Sequence, residues 1–147
     1  MSTGFFRVPE PVNEPVKTYA PGTSERKELQ NTLKELRSKE IEIPMYIGAE
    51  KVKSGQLQKI SPPHDHQHTL GFYHKSSKEH VQLAIESALK VRLQWSGMPW
   101  EHRASIFLKA AELIAGPYRN KLNAATMLAQ SKNAYQAEID SACEIID

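Results

Sequence analysis

Apolar residues recur along this chain with two different spacings, and each predicts a different element. Leu29, Leu33 and Leu36 follow one another at i, i+4 and i+7 among charged neighbours, which predicts an amphipathic helix over about 24–38. Thr23 or Ser24 suits its N-cap, and Glu25 suits the positive end of its dipole. One narrow stripe on a charged helix implies that it packs on something larger than itself. At Ile41 the period shortens to two. Ile41, Ile43, Met45 and Ile47 alternate with Glu42 and Tyr46, the repeat of a half-buried strand, and Pro44 points to an edge position. Gly48-Ala49-Glu50 turns the chain into Lys51-Val52-Lys53, and Ser54-Gly55 turns it again before a strand over 56–60. Pro62-Pro63 ends that strand, and 69–73 reads as another. The segment 24–74 is therefore expected to be a helix plus a small antiparallel β meander.

The remainder, 75–147, carries the helical period. Ser76 with Glu79 forms a capping box, and Val81, Ala84, Ile85, Ala88, Leu89 and Trp95 then mark one face. Gly97-Met98-Pro99 breaks that helix. Ile106, Phe107, Ala110, Ala111, Leu113 and Ile114 make the apolar face of the next, and Gly116-Pro117 stops it. A further helix over about 118–131 is expected to pack through Leu122, Ala125, Thr126 and Ala129. The last, from about Ala134, uses Ile139, Ala142, Cys143 and Ile146. Asp147 falls on a still-periodic pattern without a cap, so the chain is expected to be truncated within this helix. Ahead of all this, residues 1–23 hold Pro9, Pro11, Pro15 and Pro21 and predict an extended arm, either dangling or laid across a partner surface.

Composition adds mainly exclusions. Nineteen basic and 17 acidic residues leave a formal net charge of +2, and the Lys and Arg residues are not clustered. Neither nucleic acid nor an anionic membrane is an expected partner. No apolar run approaches the length of a membrane span or a signal peptide. A single cysteine, Cys143, fits a reducing compartment, so the expected location is the cytoplasm, or the mitochondrial matrix if the source is eukaryotic.

Four groups of residues invite chemistry. His64-Asp65-His66-Gln67-His68, if extended, would present three imidazoles on one face and suit zinc or nickel, but a polar loop after Pro62-Pro63 explains it as well; no metal site is expected. Cys143 lies among Asp140, Glu144 and Asp147, which raise a thiol pKa, so packing is expected in place of nucleophilic attack. Glu138, Asp140 and Glu144 share one helix; Asp140 and Glu144 lie one turn apart, and a solvated acidic face is the commoner meaning. Trp95 and Trp100 bracket a turn and read as core or interface anchors. Neither G-x-G-x-x-G nor G-x-x-x-x-G-K-[ST] occurs, so no phosphate cradle is present.

Several stretches resemble the glutamate γ-semialdehyde (1-pyrroline-5-carboxylate) branch of the aldehyde dehydrogenases. Asn13-Glu14-Pro15-Val16 and Ser24-Glu25-Arg26 resemble its opening arm and first helix. Ile43-Pro44 with Ile47-Gly48-Ala49-Glu50, then Ser61-Pro62-Pro63-His64-Asp65-His66, resemble its first strand and strand-end loop. Arg103-Ala104, Ile106-Phe107-Leu108-Lys109-Ala110-Ala111-Glu112-Leu113 and Gln136-Ala137-Glu138-Ile139-Asp140 are the most specific. The resemblance implies an α/β aldehyde dehydrogenase-like fold, here incomplete, and places 75–147 in the outer helical part of a doubly wound NAD-binding domain. It implies NAD as the cofactor of the whole enzyme, the remaining polypeptide and further copies as partners, and oxidation of the semialdehyde to glutamate in proline breakdown. The family's nucleophilic cysteine, oxyanion asparagine, base and nucleotide-binding elements have no match here, and Cys143 is not that nucleophile. The chain by itself is therefore expected to bind no NAD and to be inactive. Glu144 matches a helix glutamate beside the family's substrate tunnel, where an acid orients and excludes and does not itself react. The competing reading is a free-standing module whose arm and helical face bind another chain.

Overall fold

The computed structural model describes residues 4, 5 and 7–147; the parts of the expected arm at 1–3 and 6 lie outside the described residues. In chain order it has α1 (Ser24–Arg37), β1 (Ile41–Ile43), β2 (Met45–Ile47), β3 (Glu50–Val52), β4 (Leu57–Ile60) and β5 (Gly71–His74). Then come α2 (Lys78–Gly97), α3 (Trp100–Ala115), α4 (Arg119–Gln130) and α5 (Ala134–Ala137). A π turn, Glu138–Cys143, runs directly into α6 (Glu144–Ile146).

The leucine stripe on α1 does what its spacing predicts. Leu29 is buried and Leu33 and Leu36 are half-buried against α4, in a small core with Tyr19, Ala124, Met127 and Ala134. Thr23 stands at the N-cap position, yet its hydroxyl donates to Ala20 O at 2.9 Å and caps nothing.

The strand region differs from a simple meander. Pro44, lacking an amide hydrogen, splits the expected 41–47 strand, and its two halves join different sheets. β2 pairs antiparallel with β3 through a two-residue turn in which Gly48 adopts φ 61°, the positive φ such turns demand. β4 and β5 are also antiparallel, but β1 joins β5 in parallel, with Ile41 opposite Gly71. That approach requires glycine: a Cβ at Gly71 would stand 2.1 Å from Ile41 O. His74 fastens the same corner. Its Nδ1 accepts from the Gly55 amide at 3.1 Å, so the proton lies on Nε2, which faces Glu42 Oε1 at 2.7 Å.

The helix after the sheet is capped one residue later than expected. Ser77 is its N-cap, and the Ser77 amide donates to His80 Nδ1 at 3.1 Å, so a histidine takes the part foreseen for Glu79. α2 touches β2, with Ser87 seated over Gly48. α3 packs on α4, the π turn and α6. The expected apolar faces of both helices exist but are open: no residue of α2 or α3 is buried, and Leu89 and Phe107 are 58% and 67% exposed.

The packing face of α4 is also shifted. In place of Leu122, Ala125, Thr126 and Ala129, the buried residues are Arg119, Asn123, Ala124 and Leu128. Two of the four are polar, which is why a search for apolar periodicity passes over them. α4 ends at Ser131, held in the left-handed region at φ 57°.

Candidate functional site

The last helix begins with a capping box that hydropathy does not show. Asn133 Oδ1 accepts from the Gln136 amide at 2.9 Å, and Gln136 Oε1 accepts from the Asn133 amide at 3.0 Å. One turn later the backbone widens: the Glu144 amide donates to Ile139 O, five residues back, which is the π register. The inserted residue lets Ala137, Glu138, Ser141, Ala142 and Cys143 all reach the interior.

Glu138 is completely buried, against the expectation of a solvated acidic face. Its carboxylate is satisfied from four directions. Arg119 Nε donates to both oxygens at 3.2 Å and Arg119 Nη2 to Oε1; Asn123 Nδ2 and Tyr19 Oη donate to Oε2 at 2.7 Å each. The Lys17 amide completes the set at 2.8 Å from Oε1. Arg119 also donates to Glu14 and, at 2.9 Å, to Pro15 O. The Glu14 amide in turn reaches Asp147 Oδ1 at 2.6 Å. The proline-bearing arm does not dangle: between Glu14 and Tyr19 it is laid against α4 and the last helix by this network.

Electrostatics follow from that geometry. Burial alone pushes the Glu138 carboxyl up, but the hydrogen bonds from Arg119, Lys17, Tyr19 and Asn123 outweigh it and hold the group below the ordinary carboxylate range. Burial likewise opposes the charge on Arg119, and its bonds to Glu138 and Glu14 more than offset this, raising its pKa. The Tyr19 phenol is pushed up by burial and by the carboxylate it serves. Cys143 is buried, its thiol pushed up by burial and by Glu138, while Arg119 Nη2 lies 3.7 Å from Sγ. A packed, protonated thiol is the opposite of an activated nucleophile.

The other sequence candidates separate in space. Asp140 pairs with Lys132, and Asp65 with Arg37 at 2.7 Å. His64 Nδ1 meets Ser131 Oγ at 2.6 Å, so the histidine tract bridges to the end of α4. Among the described residues no group of three or more His, Cys, Asp or Glu is gathered as a metal would require. Trp95 and Trp100 are exposed. Glu144, one residue past the π turn, is exposed as well. A cleft of ≈ 720 Å³ between α1, β1 and α4 has mainly apolar walls, including Leu36, Ile41, Ile43 and Leu128, and shares no residue with the Glu138 network. Arg119, Asn123 and Tyr19 stand in no motif that marks them in the sequence. The available signal was Arg119 and Asn123 at i, i+4, one turn apart on α4.

Comparison with known proteins bears on the whole arrangement. A sequence profile described as the aldehyde dehydrogenase family matches residues 50–147. The chain belongs to the aldehyde dehydrogenase family. Within that family, this aldehyde dehydrogenase segment is 48% identical over 143 residues to the delta-1-pyrroline-5-carboxylate dehydrogenase of Agaricus bisporus, covering 97% of this chain and 26% of that protein. It is 41% identical over 135 residues to the mitochondrial human enzyme of that name, covering 92% of this chain and 24% of the human protein. The fold agrees with the crystal structure of the Mycobacterium tuberculosis delta-pyrroline-5-carboxylate dehydrogenase bound with NAD and cobalamin. The TM-score is 0.95 at 40% identity, over 100% of this chain and 28% of that one. The aldehyde dehydrogenase segment thus spans about a quarter of the length of the curated relatives it matches.

Proposed function

We propose that this chain is the N-terminal part of an NAD-dependent enzyme that oxidises L-glutamate γ-semialdehyde, in equilibrium with 1-pyrroline-5-carboxylate, to L-glutamate in proline breakdown. The observation that carries the proposal is similarity in unbroken order along 97% of the chain to a protein of that activity. Residues 75–147 would then form the helical flank of the NAD-binding domain, residues 1–23 an arm strapped across it, and residues 24–74 the helix and small sheets between. Glu144 would line the substrate tunnel. NAD finds no phosphate-binding glycine loop in this segment, so its contacts are assigned to the rest of the polypeptide, and no chemical step is derived from these residues. Partners on this reading are that remaining polypeptide and further copies of the enzyme. The location is the cytoplasm, or the mitochondrial matrix in a eukaryote, in keeping with the human relative.

What this segment contributes is shape. Arg119, Glu138, Tyr19 and Asn123 form a buried hydrogen-bonded network in which the Glu138 carboxylate is fully served and Asn123 Oδ1 has no partner; it specifies one arrangement of arm and helix more than it adds stability. The test is direct. The full-length polypeptide containing this segment should generate NADH from 1-pyrroline-5-carboxylate, while the 147-residue chain gives no absorbance above a buffer control. Turnover of other aldehydes but not of this substrate would overturn the substrate class, and NADH formed by the short chain alone would overturn the division of labour.

A further inference from the structure

We infer that Glu138, clamped by Arg119, is a positioning residue that sets the rotational phase of Glu144 through the π turn; this rests on the proposed tunnel position of Glu144. A π turn adds one residue to a helix, so every side chain beyond it is rotated by about 100° from where an unbroken α-helix would carry it. Glu144 is the first α-helical residue after the turn, and its own amide makes a π-register bond, to Ile139 O. Its direction is therefore decided by whether the turn holds.

A π turn forgoes good α-helical hydrogen-bond geometry and persists where side chains fix it. Here the fixing group is Glu138, the first residue of the turn, completely buried and held by donors from Arg119 and Asn123 on α4 and from Lys17 and Tyr19 in the arm. A second tie lies within the turn, where Ser141 Oγ donates to Thr126 Oγ1 on α4 at 2.5 Å. An unbroken α-helix cannot keep both Glu138 and the residues after the turn in their present directions. With Glu138 fixed, the extra residue stays and Glu144 keeps its exposed direction; with it released, the turn is free to slip to α register and swing Glu144 away.

The experiment is a double-mutant cycle in the full-length enzyme carrying this segment, comparing wild type, Glu144→Gln, Glu138→Gln and the double variant. Readouts are KM and kcat for 1-pyrroline-5-carboxylate, with thermal unfolding as a check of folding. The expectation is that each single change lowers kcat/KM between about 10- and 100-fold, mostly through KM, and that the double variant is no worse than either alone. If Glu138→Gln does not fold, Tyr19→Phe, which removes one donor to the same carboxylate, replaces it in the cycle. No effect of Glu144→Gln would sink the tunnel assignment and the inference with it. An effect of Glu144→Gln, with Glu138→Gln (or its replacement) either silent or fully additive, would leave the tunnel assignment standing and overturn the positioning role alone.

Discussion

Tyr19 donates its hydroxyl to Glu138 at 2.7 Å across 119 positions of chain, joining the arm to the far end of the fold. Removing that hydroxyl leaves a buried carboxylate oxygen with one donor fewer, a loss of about 1–3 kcal/mol. Tyr19→Phe should therefore loosen the arm without unfolding the helices. Because each 1.4 kcal/mol is tenfold in an equilibrium, tryptic cleavage beside Lys17 should accelerate roughly 5- to 140-fold. Unchanged cleavage would show that the hydroxyl contributes nothing to the strap.

Acid should release the same strap, and the sign follows from the carboxyl. Glu138 lies below its ordinary value of 4.5 in the folded chain, so its contribution is complete above that value and is lost as pH falls through the lower, folded one. Arm protection should be flat from pH 7 to 5 and decline below about 4.5, with a shallower decline in Glu138→Gln. A decline centred near neutral pH would assign the effect to some other group.

Ser131 offers an independent probe of backbone strain. It holds a left-handed conformation at φ 57° while its hydroxyl meets His64. Ser131→Ala keeps the strain and loses the hydrogen bond; Ser131→Gly loses the bond but removes the strain. The glycine variant should be more stable than the alanine variant by about 1 kcal/mol, measured by thermal unfolding. Equal stability would mean that the residue relaxes out of this conformation.

The open faces of α2 and α3 bear on the isolated chain. Leaving a few hundred Å² of apolar surface wet forfeits on the order of 5–10 kcal/mol, comparable to the stability of a whole domain. The chain alone should be helical yet loosely packed, binding hydrophobic dye and showing weak near-ultraviolet dichroism from Trp95 and Trp100. Phe107→Lys with Leu89→Lys should reduce dye binding without loss of helicity. A sharp cooperative transition in a dye-silent monomer would favour the free-standing module instead.

Local chemistry was legible in the sequence and long-range pairing was not. The α1 stripe is visible because Leu29, Leu33 and Leu36 need only a common face, and the breaks at Pro99 and Gly116 need only backbone preferences. The parallel alignment of β1 with β5 depends on Gly71 admitting Ile41 O, a contact that no local period encodes. Glu138 resembles any surface acid until Arg119, Asn123 and Tyr19 are brought round it. The buried face of α4 departs from its apolar period for the same reason: half of what it buries is polar and becomes tolerable only when paired. Glu144 carries no local signal of the tunnel-lining role proposed for it, which rests on family resemblance.

The strap between Glu14–Tyr19 and Glu138 also imposes a timetable on biosynthesis. At about 5–20 residues per second, the arm leaves the ribosome roughly 6–24 s before the carboxylate that will hold it does. During that interval Arg119 is missing for most of the wait as well, so the arm has no native place to go. Four prolines then act as a safeguard, keeping the segment from settling into a helix or a sheet edge while it is idle. The arm is the first part of the described fold to be synthesised and among the last to be able to take its place.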